Sequence, residues 1–154
     1  MKKLSWILNI VLLIIVGVMF YMFMIKGSTN QTEDGRTAIM ISEGERIKVL
    51  GDMRKFLDHV QTMVEAIGDD DIEKFSTAAS GVGLAQEAPP PPGLVRKLPL
   101  EFKTMGIATH TAFDDLAKAA DNGANGQELA KELSVIMSNC TTCHSAYRLE
   151  IEAD

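Results

Sequence analysis

Residues 4–25 form a run of 22 residues without one charged side chain, and this run limits the possible folds more than any other feature. At 1.5 Å per residue a helix of this length measures about 33 Å, enough to cross a hydrocarbon core roughly 30 Å thick. The run has no polar face, and a chain of this size has no interior that could cover such a helix all round. Lys2 and Lys3 stand just before it, so the positive-inside rule keeps the N-terminus in the cytoplasm and sends the remainder across. A cleaved signal peptide is the rival reading. Its apolar core runs about 7–15 residues and ends at a small-residue cleavage site. Here the core is longer and leads into Met24-Ile25-Lys26-Gly27-Ser28-Thr29. Residues 1–27 therefore read as an uncleaved single-pass anchor in the inner (cytoplasmic) membrane, with the rest of the chain in the periplasm.

Charge is distributed as unevenly as hydropathy. Lys2, Lys3 and Lys26 belong to the anchor, and no acidic residue occurs before Glu33. The exported part keeps 12 basic against 21 acidic residues, a net of −9 with histidine neutral. Nucleic-acid binding needs a basic footprint and is not expected. An acidic domain stays soluble and suits a basic docking partner.

Residues 28–35 are polar and without periodicity, and read as a tether. From Arg36 onward Ile39, Met40, Ile47, Leu50, Met53, Leu57, Val60, Val64 and Ile67 recur mostly at steps of three and four, the spacing of a helix that Gly68 ends. A second helix is expected over residues 70–80. Residues 83–98 contain Pro89-Pro90-Pro91-Pro92 and read as a stiff polyproline spacer, neither helix nor inner strand. Pro99 opens a third helix, which fades at Asp121-Asn122-Gly123, and a fourth runs from Gln127 to about Ile151. No strand pattern is read anywhere. The expected fold is all-α: an antiparallel up-down-up-down four-helix bundle over residues 36–154, preceded by one transmembrane helix.

Cys140-Thr141-Thr142-Cys143-His144 is the attachment pattern of a c-type haem. Two thiols must add to the two vinyl groups on one edge of the porphyrin, and an imidazole must then sit beneath the iron. On a helix Cys140 and Cys143 are i and i+3 and share a face, and His144 at i+4 joins them. A thioredoxin-like redox pair would need a βαβ setting that the sequence lacks. A zinc site needs four ligands, and the other histidines, His59 and His110, lie far off in sequence. A disulfide would close only a tiny loop and stabilise little. One covalent haem c with its iron is therefore expected, with Cys140 and Cys143 binding the cofactor and His144 the metal.

Extended to Cys140-Thr-Thr-Cys-His-Ser-Ala-Tyr147-Arg148, the segment resembles the end of the last helix in the cytochrome c′ family, which reads Cys-x-x-Cys-His-x-x-Tyr-Arg. The resemblance spans about residues 36–152 and is specific at the haem motif. It implies a four-helix bundle with haem near one end, His144 as proximal ligand and Arg148 near the haem edge or a propionate. It also implies, by analogy, a dimer formed through the first two helices. In that family the first helix of the bundle supplies the distal residue. An apolar residue there leaves the iron open to small gases, and a methionine closes it for electron transfer. Counting along antiparallel helices places Leu50 to Met53 opposite His144, which makes Met53 the expected distal ligand, with His110 as the alternative. Met40 would overshoot. Met53 could equally serve as an adaptable core filler, since the chain has nine methionines. His59, beside Asp58, reads as a solvated surface residue.

The expectation is a periplasmic electron carrier that meets redox partner proteins, and not an enzyme, because no hydrolase-like arrangement stands out. A five-coordinate binder of nitric oxide or carbon monoxide is the alternative.

Overall fold

The structure, a computed structural model, describes residues 2–86, 89–91 and 93–152. Glu87, Ala88 and Pro92 of the expected spacer lie outside the described residues, as do Met1, Ala153 and Asp154. The chain is mostly helical, at 74 %. α1 (Lys2–Phe20) continues as a wider π-helical stretch (Tyr21–Lys26). Together they give one helix long and apolar enough to span a membrane or act as a signal sequence, and its apolar side chains are exposed.

Next come strands β1 (Thr29–Gln31) and β2 (Thr37–Ile41), then helices α2 (Glu43–Gly68) and α3 (Ile72–Ser80). A 3₁₀ turn (Leu84–Gln86), α4 (Leu94–Lys97), α5 (Leu100–Asp121), α6 (Gly126–Ala146) and strand β3 (Tyr147–Ile151) complete the order. The strands form one sheet in the order β1-β2-β3. β1 and β2 are antiparallel, with Thr29 opposite Ile39 and Gln31 opposite Thr37. β2 and β3 are parallel, with Thr37 opposite Tyr147 and Ile41 opposite Ile151.

This sheet corrects the all-α expectation at three places. The residues read as a tether supply β1. Residues 37–41, read as the start of the first long helix, are β2, and Ala38, Ile39 and Ile41 there are fully buried. The helix begins only after Ser42. The Ser42 hydroxyl accepts from the Glu45 amide (3.3 Å) while the Glu45 carboxylate accepts from the Ser42 amide (2.8 Å), the reciprocal cap that fixes a helix start. The last helix stops at Ala146, and Tyr147-Arg148-Leu149-Glu150-Ile151 pairs with β2 instead of extending it. The spacer also departs from expectation, since it holds the 3₁₀ turn and α4.

The other helix starts follow their caps. Asp71 accepts from the Lys74 amide (2.9 Å) ahead of α3. Asn125 accepts from the amides of Gln127 and Glu128 (3.0 and 3.1 Å) ahead of α6. α2, α3, α5 and α6 pack on one another around Met63, Phe75, Phe113, Leu116, Leu129 and Leu133. A separate cluster joins the sheet to the helix ends: Ile39, Ile41 and Leu94, with Val49, Leu98, Phe102, Tyr147 and Leu149 against them. Lys97 closes this end, its ammonium 2.7 Å from Glu45 and 3.0 Å from Glu152.

Candidate functional site

Burial along α6 follows one line. Leu129, Leu133 and Ile136 are buried, and seven residues past Ile136 the same line reaches the half-buried Cys143, whereas Cys140 is exposed. Cys143 thus continues the inward stripe of the helix, where an apolar side chain would be expected, and Cys140 stands at the exposed side of that stripe. Cys143 is partly buried, Cys140 is more open, and both are free thiols. Burial pushes each thiol above its usual range; for Cys143 the neighbouring Cys140 adds to the rise, and for Cys140 a backbone hydrogen bond opposes it. His144 lies one residue on, exposed, in the last turn of the helix.

The neighbours of this turn follow from observed contacts. α2 leaves the sheet and α6 returns to it, so they run in opposite senses. Tyr147 packs edge-on against Phe102 (ring centroids 5.5 Å apart) in the cluster that also holds Val49. Counting one helical turn from Val49, Phe102 and Tyr147 away from the sheet leads to Met53 on α2, Gly106 on α5 and Cys143 on α6. A further turn on, Phe56 meets His110 (4.9 Å), and the Asn139 amide, next to Cys140, donates to the Thr109 hydroxyl (3.3 Å). Met53 is half-buried and belongs to neither hydrophobic cluster. A Cβ added at Gly106 would meet no atom within 4 Å. The level of Cys143 is thus an interval between two cores, with side-chain bulk withheld at α5.

His110 lies one turn below Met53. Its Nδ1 donates to the Val82 carbonyl (2.8 Å), which in the neutral ring makes Nε2 the acceptor nitrogen. His59 is not a solvated surface residue: it is half-buried, and its Nδ1 donates to the Ala78 carbonyl (2.8 Å). Arg148 falls in β3 and not on a helix, with its guanidinium 3.4 Å from Asp34 and 3.0 Å from Glu150. Met40 lies in β2.

Sequence reasoning missed Gly106 and the Thr109–Asn139 bond. A glycine inside a helix, three and four residues before Thr109 and His110, was the available signal. Among the described residues no three or more His, Cys, Asp or Glu side chains gather to hold a bare metal ion. The donor set at Cys140, Cys143 and His144 has the chemistry of porphyrin attachment: two thiols on one helical face and an imidazole beside them. Comparison with family models, curated proteins and solved structures finds no match for this chain.

Proposed function

We propose that the protein is a membrane-anchored, periplasm-facing monohaem cytochrome of the cytochrome c′ type that carries electrons. α2, α3, α5 and α6 are its up-down-up-down bundle. The observation that carries the reading is the inward stripe of α6 reaching the half-buried Cys143 between the two cores, with Cys140 exposed three residues before it and His144 one residue after it. Bound there, a haem supplies a one-electron iron couple. Cys140 and Cys143 hold it by thioether bonds, and His144 is the proximal ligand. Arg148 offers a cation near the attachment turn, shared with Asp34 and Glu150.

Met53 is the distal ligand in this proposal, supported by its position level with Cys143. His110, a turn lower and held by Val82, is the alternative. Room at Gly106 favours one rival, an open sixth position that binds nitric oxide or carbon monoxide.

The test is to produce the full chain with haem-maturation machinery and record oxidised and reduced spectra of the membranes. Haem that stays with the denatured polypeptide is expected, and its absence overturns the proposal. A low-spin spectrum with a weak far-red sulfur-to-iron band is expected for Met53 and His144. A high-spin spectrum that shifts with carbon monoxide moves the function to gas binding.

A further inference from the structure

The junction between anchor and domain is not a loose linker. Gly27 has φ +66°, and a Cβ there would lie 2.7 Å from the Leu98 carbonyl carbon and 2.8 Å from the Pro99 nitrogen, so only glycine lets the chain pass this close. The Ser28 amide donates to the Lys97 carbonyl (2.7 Å), and the Met40 amide donates to the Ser28 carbonyl (2.8 Å). Lys103 donates its ammonium to the Met24 carbonyl (2.9 Å), one of the carbonyls left over at the end of the anchor helix. α4 and α5 both touch the Tyr21–Lys26 stretch. The beginning of α5 therefore stands beside the last residues of the apolar run.

Its outer face suits that position. Leu100, Lys103 and Ile107 follow at steps of three and four and share one face of α5; Leu100 is 47 % and Ile107 56 % exposed, with Val95 on α4 46 % exposed. Basic residues accompany these side chains in a domain that is otherwise acidic: Lys26 and Arg96 are exposed, and Lys103 reaches across to the anchor. The one acidic residue on this stretch of α5, Glu101, accepts from the Tyr147 hydroxyl (3.1 Å). Apolar side chains rimmed by cations are what an anionic bilayer surface takes up.

We infer that the face formed by Val95, Leu100, Lys103 and Ile107 rests in the headgroup region of the membrane that the anchor spans, so the domain lies fixed against the bilayer and does not swing from it. β3 is two strands from β1, about 10 Å at ordinary strand spacing, so the Cys143–His144 turn is held close above that surface.

The test uses the full chain in vesicles of phosphatidylcholine and phosphatidylglycerol with brominated acyl chains. In a Trp6→Phe background, single tryptophans are placed by Leu100→Trp, Ile107→Trp and, on α6, Val135→Trp. The first two are expected to lose about half of their emission relative to unbrominated vesicles, as depth in the interface requires, and the third to lose none. Equal emission at all three positions, with native Trp6 quenched in the unaltered chain, overturns the inference. The unaltered chain gives a second reading: a photoreactive phospholipid is expected to label residues 94–107 and leave residues 127–139 unlabelled, and the reverse overturns it. Neither measurement depends on haem.

Discussion

The helices around Phe75 and Phe113 and the same helices around Cys143 are filled in different ways. In the first region α2, α3, α5 and α6 bury Met63, Phe75, Phe113, Leu116 and Leu129 almost completely against one another. In the second the positions are a half-buried methionine, a glycine with open space beyond it, a half-buried cysteine and an exposed one. The difference separates a region that the chain fills with its own side chains from one that, on the proposed reading, takes up another group. Apolar burial makes the first region self-sufficient. The second is held in place by its borders, the helical core on one side and the sheet on the other.

Four experiments can break or sharpen this contrast. Replacing both Cys140 and Cys143 by serine is expected to abolish covalently retained haem while far-UV dichroism keeps its helical signal; a collapse of the helices would mean the two regions are not independent. Phe113→Ala is expected to cost about 3–5 kcal/mol in urea unfolding, because it opens a cavity in the self-sufficient region. An effect as small as that of an exposed substitution would remove the contrast.

Glu45→Gln probes the sheet border, where the pair with Lys97 is 10 % and 17 % exposed. Burial pushes the Glu45 carboxyl up, but Lys97 and the amide and hydroxyl of Ser42 outweigh it and hold it below its ordinary range. Stabilisation is therefore full above the ordinary glutamate value of about 4.3 and is lost as pH falls through the lowered folded value. Lys97 is raised, chiefly by Glu45. Its share is full below about 10.4 and is lost as pH rises through its raised folded value. The substitution is expected to cost about 1–3 kcal/mol at neutral pH and to flatten the acid limb of a Tm-against-pH curve. An unchanged acid limb would show that the pair does not stabilise this border.

Met53→Leu is expected to change stability by less than about 1.5 kcal/mol, since volume is kept, yet to turn a low-spin spectrum high-spin and carbon-monoxide-sensitive. If His110→Leu does this and Met53→Leu does not, the ligand is one turn lower.

The sequence carried the helical parts well because their signals are local. The long apolar helix declares itself by length, α5 by Pro99 and its stripe, and the end of α2 by Gly68 followed by the Asp69–Asp70 turn. The sheet escaped for two reasons. Residues 38–41 are almost entirely apolar, so they show no alternation, and Ile39 and Met40 fall in with the helical stripe that follows. Ser42 with Glu45 three residues later was a legible start signal that the stripe obscured. Tyr147, Leu149 and Ile151 do alternate with Arg148 and Glu150, but the attachment motif just before them drew the helix onward. At the site, the three motif residues are local in sequence. Met53 and His110 could be offered by counting along antiparallel helices, but Gly106 and the bonds that hold His110 and Asn139 depend on packing between distant helices, which spacing along the chain does not encode.

The parallel pairing of Thr37 with Tyr147 also sets an order of events, since it closes a loop of 110 residues. Contacts of such long range form late, because the entropy of closure has to be met before they stabilise anything. β1 and β2 are made first, and one edge of β2 stays bare until residues 147–151 arrive. On the proposed reading that delay is a maturation window: the Cys140 and Cys143 thiols emerge while the sheet is still open, and the docking of β3 then seals the attached haem's turn into the finished domain.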